Sequence, residues 1–222
     1  MIKSHLLAGS IGFAACACLG AVLAFGPDHD GHDHHHHDAH HDNHAAPSNT
    51  AEEMSPEEMM AAYMALGNPG EHHEELKMAV GEWEANTSFI MDPANPDQKE
   101  DGVGSCSVKM IMDGRFSKTK FDSDFMGIPF TGYAYSGYDN ARKQHVSIWM
   151  DTMSTAIMYM TGNKNEDGDL VMQGTTFAPG VGDYEMRMVY HWDDENNWSQ
   201  NFYDQLPDGS WMHTGVITYT RK

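Results

Sequence analysis

From Trp83 onward the chain reads with a period of two. Trp83, Ala85, Thr87, Phe89 and Met91 alternate with Glu82, Glu84, Asn86 and Ser88, the pattern of a strand buried on one face. The alternation returns in Tyr184, Met186, Met188, Tyr190 and Trp192, in Trp198, Gln200 and Phe202, and in Trp211, His213, Gly215, Ile217 and Tyr219. Clusters of Pro, Asp, Asn and Gly punctuate these runs at 92–101, 113–114, 127–129, 139–140, 165–168, 179–183, 193–197 and 207–209; they are turn signals. Asp113-Gly114 predicts a tight type I′ hairpin joining 103–112 to 115–125, because both central residues of that turn need positive φ. Before the strands the period is helical. Ser55 as N-cap, Pro56 at the first helical position and Glu58 at the third make a capping box. The short helix it starts runs to Leu66, is stopped by Gly67 and Pro69, and carries Met59, Met60, Tyr63 and Met64 as an apolar stripe. A second short helix is expected from Glu71 to near Val80, with Leu76 and Val80 four apart. Hairpin-linked strands with almost no helix predict an all-β fold: a single antiparallel β-barrel of about ten strands preceded by one or two short helices, since closure leaves no edge to aggregate. A β-sandwich is the alternative.

Composition shifts divide the chain into a signal peptide or anchor over 1–25, a His/Asp-rich tail and linker over 26–54, a short helix over 55–70 and the barrel over 71–222. Lys3, an apolar run over 6–25 and abrupt polarity at Asp28 read as a bacterial export signal, placing the protein in the periplasm or outside the cell. Val22-Leu23-Ala24 suits signal peptidase, Phe13-Ala14-Ala15-Cys16 loosely matches a lipoprotein box, and about 20 apolar residues just span a bilayer. Cleavage, lipidation and an uncleaved anchor all stay open, and a membrane partner is expected only through this segment.

The charge narrows the partners. With 13 Lys and Arg against 33 acids and a net charge of -20, the chain lacks the basic clusters that nucleic acid requires. Cys106 alone remains beyond the apolar N-terminus, which removes a disulfide framework and a thiolate zinc site.

Several short motifs carry a resemblance. Gly70-Glu71-His72-His73-Glu74-Glu75-Leu76, Gly81-Glu82-Trp83-Glu84, Asp113-Gly114-Arg115-Phe116, the run from Phe125 to Gly132, Gly137-Tyr138-Asp139-Asn140 and Trp149-Met150-Asp151-Thr152-Met153-Ser154-Thr155 occur in an order that resembles the bacterial family called domain of unknown function 1579, over about 70–222. The resemblance implies a calycin-like, lipocalin-type barrel, often exported, with no established activity. Ala156 departs from it, standing where a glycine is expected.

Candidate chemistry lies in four places. Nine histidines (His29, His32, His34, His35, His36, His37, His40, His41 and His44) fall within residues 28–44 beside five aspartates. Tethered imidazoles bind zinc, copper or nickel, and a spacer that binds metal adventitiously explains the tail as well. Among 18 methionines, Met110 and Met112, Met158 and Met160, and Met186 and Met188 are spaced by two, which suits Cu(I) but suits adaptable core filling better. His72 and His73 precede two glutamates without the second His four residues on that a zinc-protease helix needs, so a surface or capping role is expected. Trp149, Asp151 and Ser154, with Arg187 and His213 from later strands, are the candidate small-ligand residues at a cavity mouth; the competing reading has Asp151 accepting backbone N–H groups at a turn. No residue set supports catalysis and no cofactor is required. The expected function is non-enzymatic binding of a small apolar molecule in the barrel; the alternative is metal buffering or delivery by the tail.

Overall fold

The structure, a computed structural model, describes residues 54–125 and 127–222. The expected export segment and the nine tail histidines, His29 to His44, lie outside the described residues. No helix among the described residues is long and apolar enough to cross a membrane.

The described residues fall in two units. Helix α1 (Pro56–Leu66) belongs, apart from Leu66, to one of them. Its first turn is closed by the capping box: the Glu58 N–H donates to Ser55 Oγ at 3.2 Å and the Ser55 N–H to Glu58 Oε2 at 2.8 Å. Met59, Met60, Tyr63 and Met64 are all exposed.

The other unit is the barrel. Helix α2 (Glu71–Glu75) tightens into a 3-10 turn, Leu76–Ala79, and leads into ten strands: β1 (Gly81–Ile90), β2 (Lys99–Ile111), β3 (Phe116–Phe125), β4 (Ile128–Asp139), β5 (Gln144–Asp151), β6 (Met158–Lys164), β7 (Leu170–Ala178), β8 (Gly182–Trp192), β9 (Asn197–Gln205) and β10 (Trp211–Arg221). Each strand pairs antiparallel with its sequence neighbour, and β1 also pairs with β10, Trp83 opposite Arg221. The result is a closed up-and-down barrel, the class that includes lipocalins. Closure excludes the sandwich. The alternation of β1 decides which residues face in: Trp83, Ala85, Thr87 and Phe89 are buried while Glu82 and Glu84 are exposed. Inward methionines from β6, β7 and β8 (Met158, Met160, Met172, Met186, Met188) complete the core with Phe121, Phe130, Trp198, Phe202, Ile217 and Tyr219. The paired methionines of β6 and β8 thus share the inner face, whereas Met112 is exposed in a turn.

Two turns differ from expectation. At the β2–β3 hairpin Ile111 pairs with Phe116, leaving four residues between. The left-handed backbone begins one residue early, at Met112 (φ 50) and Asp113 (φ 54), and placing Met112 there costs about 1–2 kcal/mol. The break between β5 and β6 has no Gly or Pro to announce it. Side chains make it: Asp151 Oδ1 accepts the Met153 N–H at 2.9 Å, and Ser154 Oγ accepts the Ala156 N–H at 2.8 Å, local bonds that compete with the ladder.

Candidate functional site

The barrel encloses a cavity of about 320 Å³, at the lower end of the range for small-molecule sites. Its wall is mostly apolar. Met158, Met160, Met172 and Met188 line one side, while Trp192, Trp198, Tyr190 and Tyr219 form an aromatic side; Leu76, Met78 and Ala79 of the 3-10 turn cap one end. Trp198 and Tyr219 stack with ring centroids 3.7 Å apart and planes within 7°, and Trp192 stacks at 5.3 Å from Trp198. These rings are large, stiff surfaces for an apolar guest.

Besides the hydroxyls of Ser117, Thr119, Ser136 and Ser147, the polar groups gather at two levels. Deep in the wall, the Tyr219 hydroxyl donates to Gln200 Oε1 at 3.2 Å, and Gln200 Nε2 donates to the Tyr190 hydroxyl at 3.3 Å. Burial raises the pKa of both phenols, so they stay neutral donors at physiological pH. Beside them the Trp198 indole N–H is buried with no acceptor. An unmade buried hydrogen bond costs about 1–3 kcal/mol.

The second level lies at the capped end, where Glu75, His145 and Lys164 line the cavity. Helix α2 is entered from Gly70, whose N–H donates to His73 Nδ1 at 3.0 Å; His73 is therefore the capping histidine, and it is buried. Upstream, the Arg115 Nε–H donates to the Gly67 carbonyl at 2.9 Å and Asn140 Nδ2 to the Asn68 carbonyl at 2.9 Å, tying this segment to two barrel hairpins. One turn of α2 sets His72 and Glu75 on one face, with His72 Nδ1 3.5 Å from Glu75 Oε2. That distance is an ion-pair distance, and neither atom has a hydrogen bond. His145 enters from the start of β5, where it pairs with Tyr138 of β4. The Tyr138 ring packs against both imidazoles, stacked on His72 at 4.1 Å and edge-on to His145 at 5.0 Å. Lys164 Nζ holds the other Glu75 oxygen, Oε1, at 3.0 Å. Burial, with His72 second, pushes the His145 imidazole down to about 4, so it is neutral at pH 7. Burial works to raise the Glu75 carboxyl, but Lys164 and then His72 outweigh it and hold it below the ordinary value.

The sequence-derived ligand residues divide between the faces. Trp149 lines the cavity, and its Nε1–H donates to Asp151 Oδ2 at 2.7 Å. Asp151 is thereby engaged in the β5–β6 turn, with Ser154 a few residues on. Arg187 alternates out of phase with the cavity-lining Met188 and Tyr190, so it faces outward, its guanidinium 4.0 Å from the Trp211 ring. His213 is exposed, beside Asn201 Oδ1 at 3.1 Å and the Tyr203 ring. Trp149 and Asp151 are brought together; Arg187 and His213 lie apart from them. Sequence reasoning passed over Glu75, His145, Lys164, Trp198 and Gln200. The inward phase of β9 marked Trp198 and Gln200, but nothing local marked His145.

Trp149 sits where it does because residue 132 has no side chain. A Cβ on Gly132 would lie 2.1 Å from Trp149 Cζ2. Gly132→Ala is expected to displace the indole from Phe130, on which it stacks at 6.3 Å, and from Asp151, lowering stability by about 1–3 kcal/mol. Chemical denaturation and near-ultraviolet circular dichroism check this; an unchanged aromatic spectrum would contradict it.

No curated protein matches the sequence. The S-type phycobiliprotein lyase CPES from Guillardia theta, a solved structure, aligns with a TM-score of 0.45 at 12% identity, over 67% of this chain and 91% of that one. A family model described as "Protein of unknown function (DUF1579)" matches residues 68–221, which takes in every strand and the whole cavity wall. The chain belongs to that family.

Proposed function

We propose that the barrel binds a small, largely apolar molecule and carries it without transforming it. The observation that carries this reading is the cavity of about 320 Å³ walled by methionines and stacked aromatic rings, with the buried Trp198 N–H left without an acceptor in its wall. Such a site offers a largely apolar wall with a few polar groups that can fix a guest's orientation. In the same reading the protein works in the bacterial envelope, which rests on Lys3 and the apolar run over 6–25.

A saturable titration of the full chain with 8-anilinonaphthalene-1-sulfonate, read by fluorescence, tests the cavity. Ala134 lines it, and Ala134→Phe is expected to fill it and weaken the probe at least about tenfold. Trp198→Phe keeps a ring and removes the donor, so a loss of about fivefold is expected, one hydrogen bond. Undiminished binding to a folded Ala134→Phe protein would sink the cavity reading. Metal buffering by the tail is a separate reading supported by its nine imidazoles; deleting residues 28–44 should abolish it and leave probe binding unchanged.

A further inference from the structure

We propose that His72, Glu75 and His145 bind a borderline divalent transition-metal ion, zinc foremost, at the capped end of the barrel. The site is independent of whether the cavity takes an organic guest, and none of its residues belongs to the His-rich tail.

Three observations converge. One ligand atom from each residue lies within 4.8 Å of the other two. Each of the three residues also holds an atom without a hydrogen bond: among the described residues seven buried side-chain nitrogens and oxygens lack one, and His72 Nδ1, Glu75 Oε2 and His145 Nδ1 are three of them. His145 itself is only 4% exposed. Two imidazoles and a carboxylate gathered this closely without hydrogen bonds among them are donors that a shared Lewis acid can take. Two imidazole nitrogens and one carboxylate oxygen are also the donors zinc takes at its three-ligand sites.

Distances and supports agree. At tetrahedral zinc, ligands about 2.0–2.1 Å from the metal stand roughly 3.4 Å from one another. His72 Nδ1 and Glu75 Oε2 are already 3.5 Å apart, and modest rotation of side chains brings in the rest. Lys164 on Oε1 orients the carboxylate and leaves Oε2 free, while Tyr138 fixes the plane of both rings, the work outer-shell groups do at metal sites. The protein supplies three ligands, so a fourth position remains for water or a guest's donor atom. Glu75 and His145 line the cavity, and that position opens toward it.

Thermal unfolding of the full chain with and without zinc tests the site. An ion bound only by the folded barrel raises Tm, whereas zinc held alike before and after unfolding by the tail histidines leaves it unchanged. At about a hundred times the dissociation constant the expected rise is roughly 5 °C or more, reversed by chelator. His72→Ala, at a half-exposed position, and Glu75→Gln should keep most of the metal-free Tm and lose the rise. No rise in the unaltered chain, or an equal rise in His72→Ala and Glu75→Gln, overturns the proposal.

Discussion

Replacing Asp204 with asparagine is expected to stabilise the barrel at pH 8 by about 1–3 kcal/mol while leaving it little changed at pH 4. Asp204 faces inward from β9, is 0% exposed, and neither carboxylate oxygen has a partner with hydrogen-bond geometry. The Thr214 hydroxyl pulls its pKa down, yet that hydroxyl donates to the Phe202 carbonyl at 3.4 Å. Burial dominates and pushes the Asp204 carboxyl up from 3.8 to about 7. Between those values the folded state holds a proton that the unfolded chain has released, so stability falls as pH rises from about 4 to about 7 and is level beyond. The full span corresponds to roughly 4 kcal/mol. The asparagine recovers part of it, because its own amide is left without a partner. His145 works in the opposite sense: its lowered value makes stability rise with pH between about 4 and 6.5. Urea unfolding of both proteins at pH 4.5, 6 and 8 separates the two, since the difference between the curves isolates Asp204. Parallel curves would mean that Asp204 ionises in the fold as freely as outside it.

Trp83→Ala is expected to cost about 3–5 kcal/mol, the range for a fully buried aromatic. The ring is 0% exposed and meets Trp192 and Trp198 edge-on at 6.0 and 5.9 Å. Its Nε1–H donates to the Ala79 carbonyl at 2.8 Å, holding the 3-10 turn over the barrel end. The Arg221 guanidinium lies 4.0 Å from its centroid and also donates to the Val80 and Met78 carbonyls at 2.8 and 3.1 Å. Trp83→Phe keeps most of the packing and loses the hydrogen bond, so it should cost only about 1 kcal/mol. Denaturation of both variants reads the stability, and the anilinonaphthalene titration reads the cap. A Trp83→Phe protein as damaged as Trp83→Ala would show that the tether to Ala79, not the ring, holds this corner.

How far the residues announced this arrangement depends on the range of the signal. Alternation is local, and it placed Trp83, Phe89, Met186, Met188 and Trp198 correctly indoors. The same alternation put Arg187 outside, out of phase with Met186 and Met188, although it had been grouped with the cavity. His213 is subtler. It shares a two-residue phase with Gly215, Ile217 and Tyr219, but a register shift between His213 and Gly215 turns it to the surface; Gly215 is the one local sign of that bulge. The β5–β6 break carries no Gly or Pro; its sign in the sequence is Asp151, whose expected role as acceptor of a backbone N–H at a turn the Met153 N–H fulfils. For His72, the search at a spacing of four overlooked Glu75 at a spacing of three. The third member, His145, is a lone histidine on a strand until the β4–β5 pairing carries it to Tyr138.

The seam between β1 and β10 has a kinetic consequence. Arg221 reaches the Val80 carbonyl across 141 residues, so the contacts that shut the barrel are among the most distant the chain can make. Every other strand pairs with its neighbour and zips by short hairpins; the seam alone waits for the whole meander to form. Refolding should therefore be slow, with the final phase reporting the docking of β10. Until that moment two bare strand edges face solvent, and dilute, cool conditions during refolding will decide whether a chain closes on itself or on another.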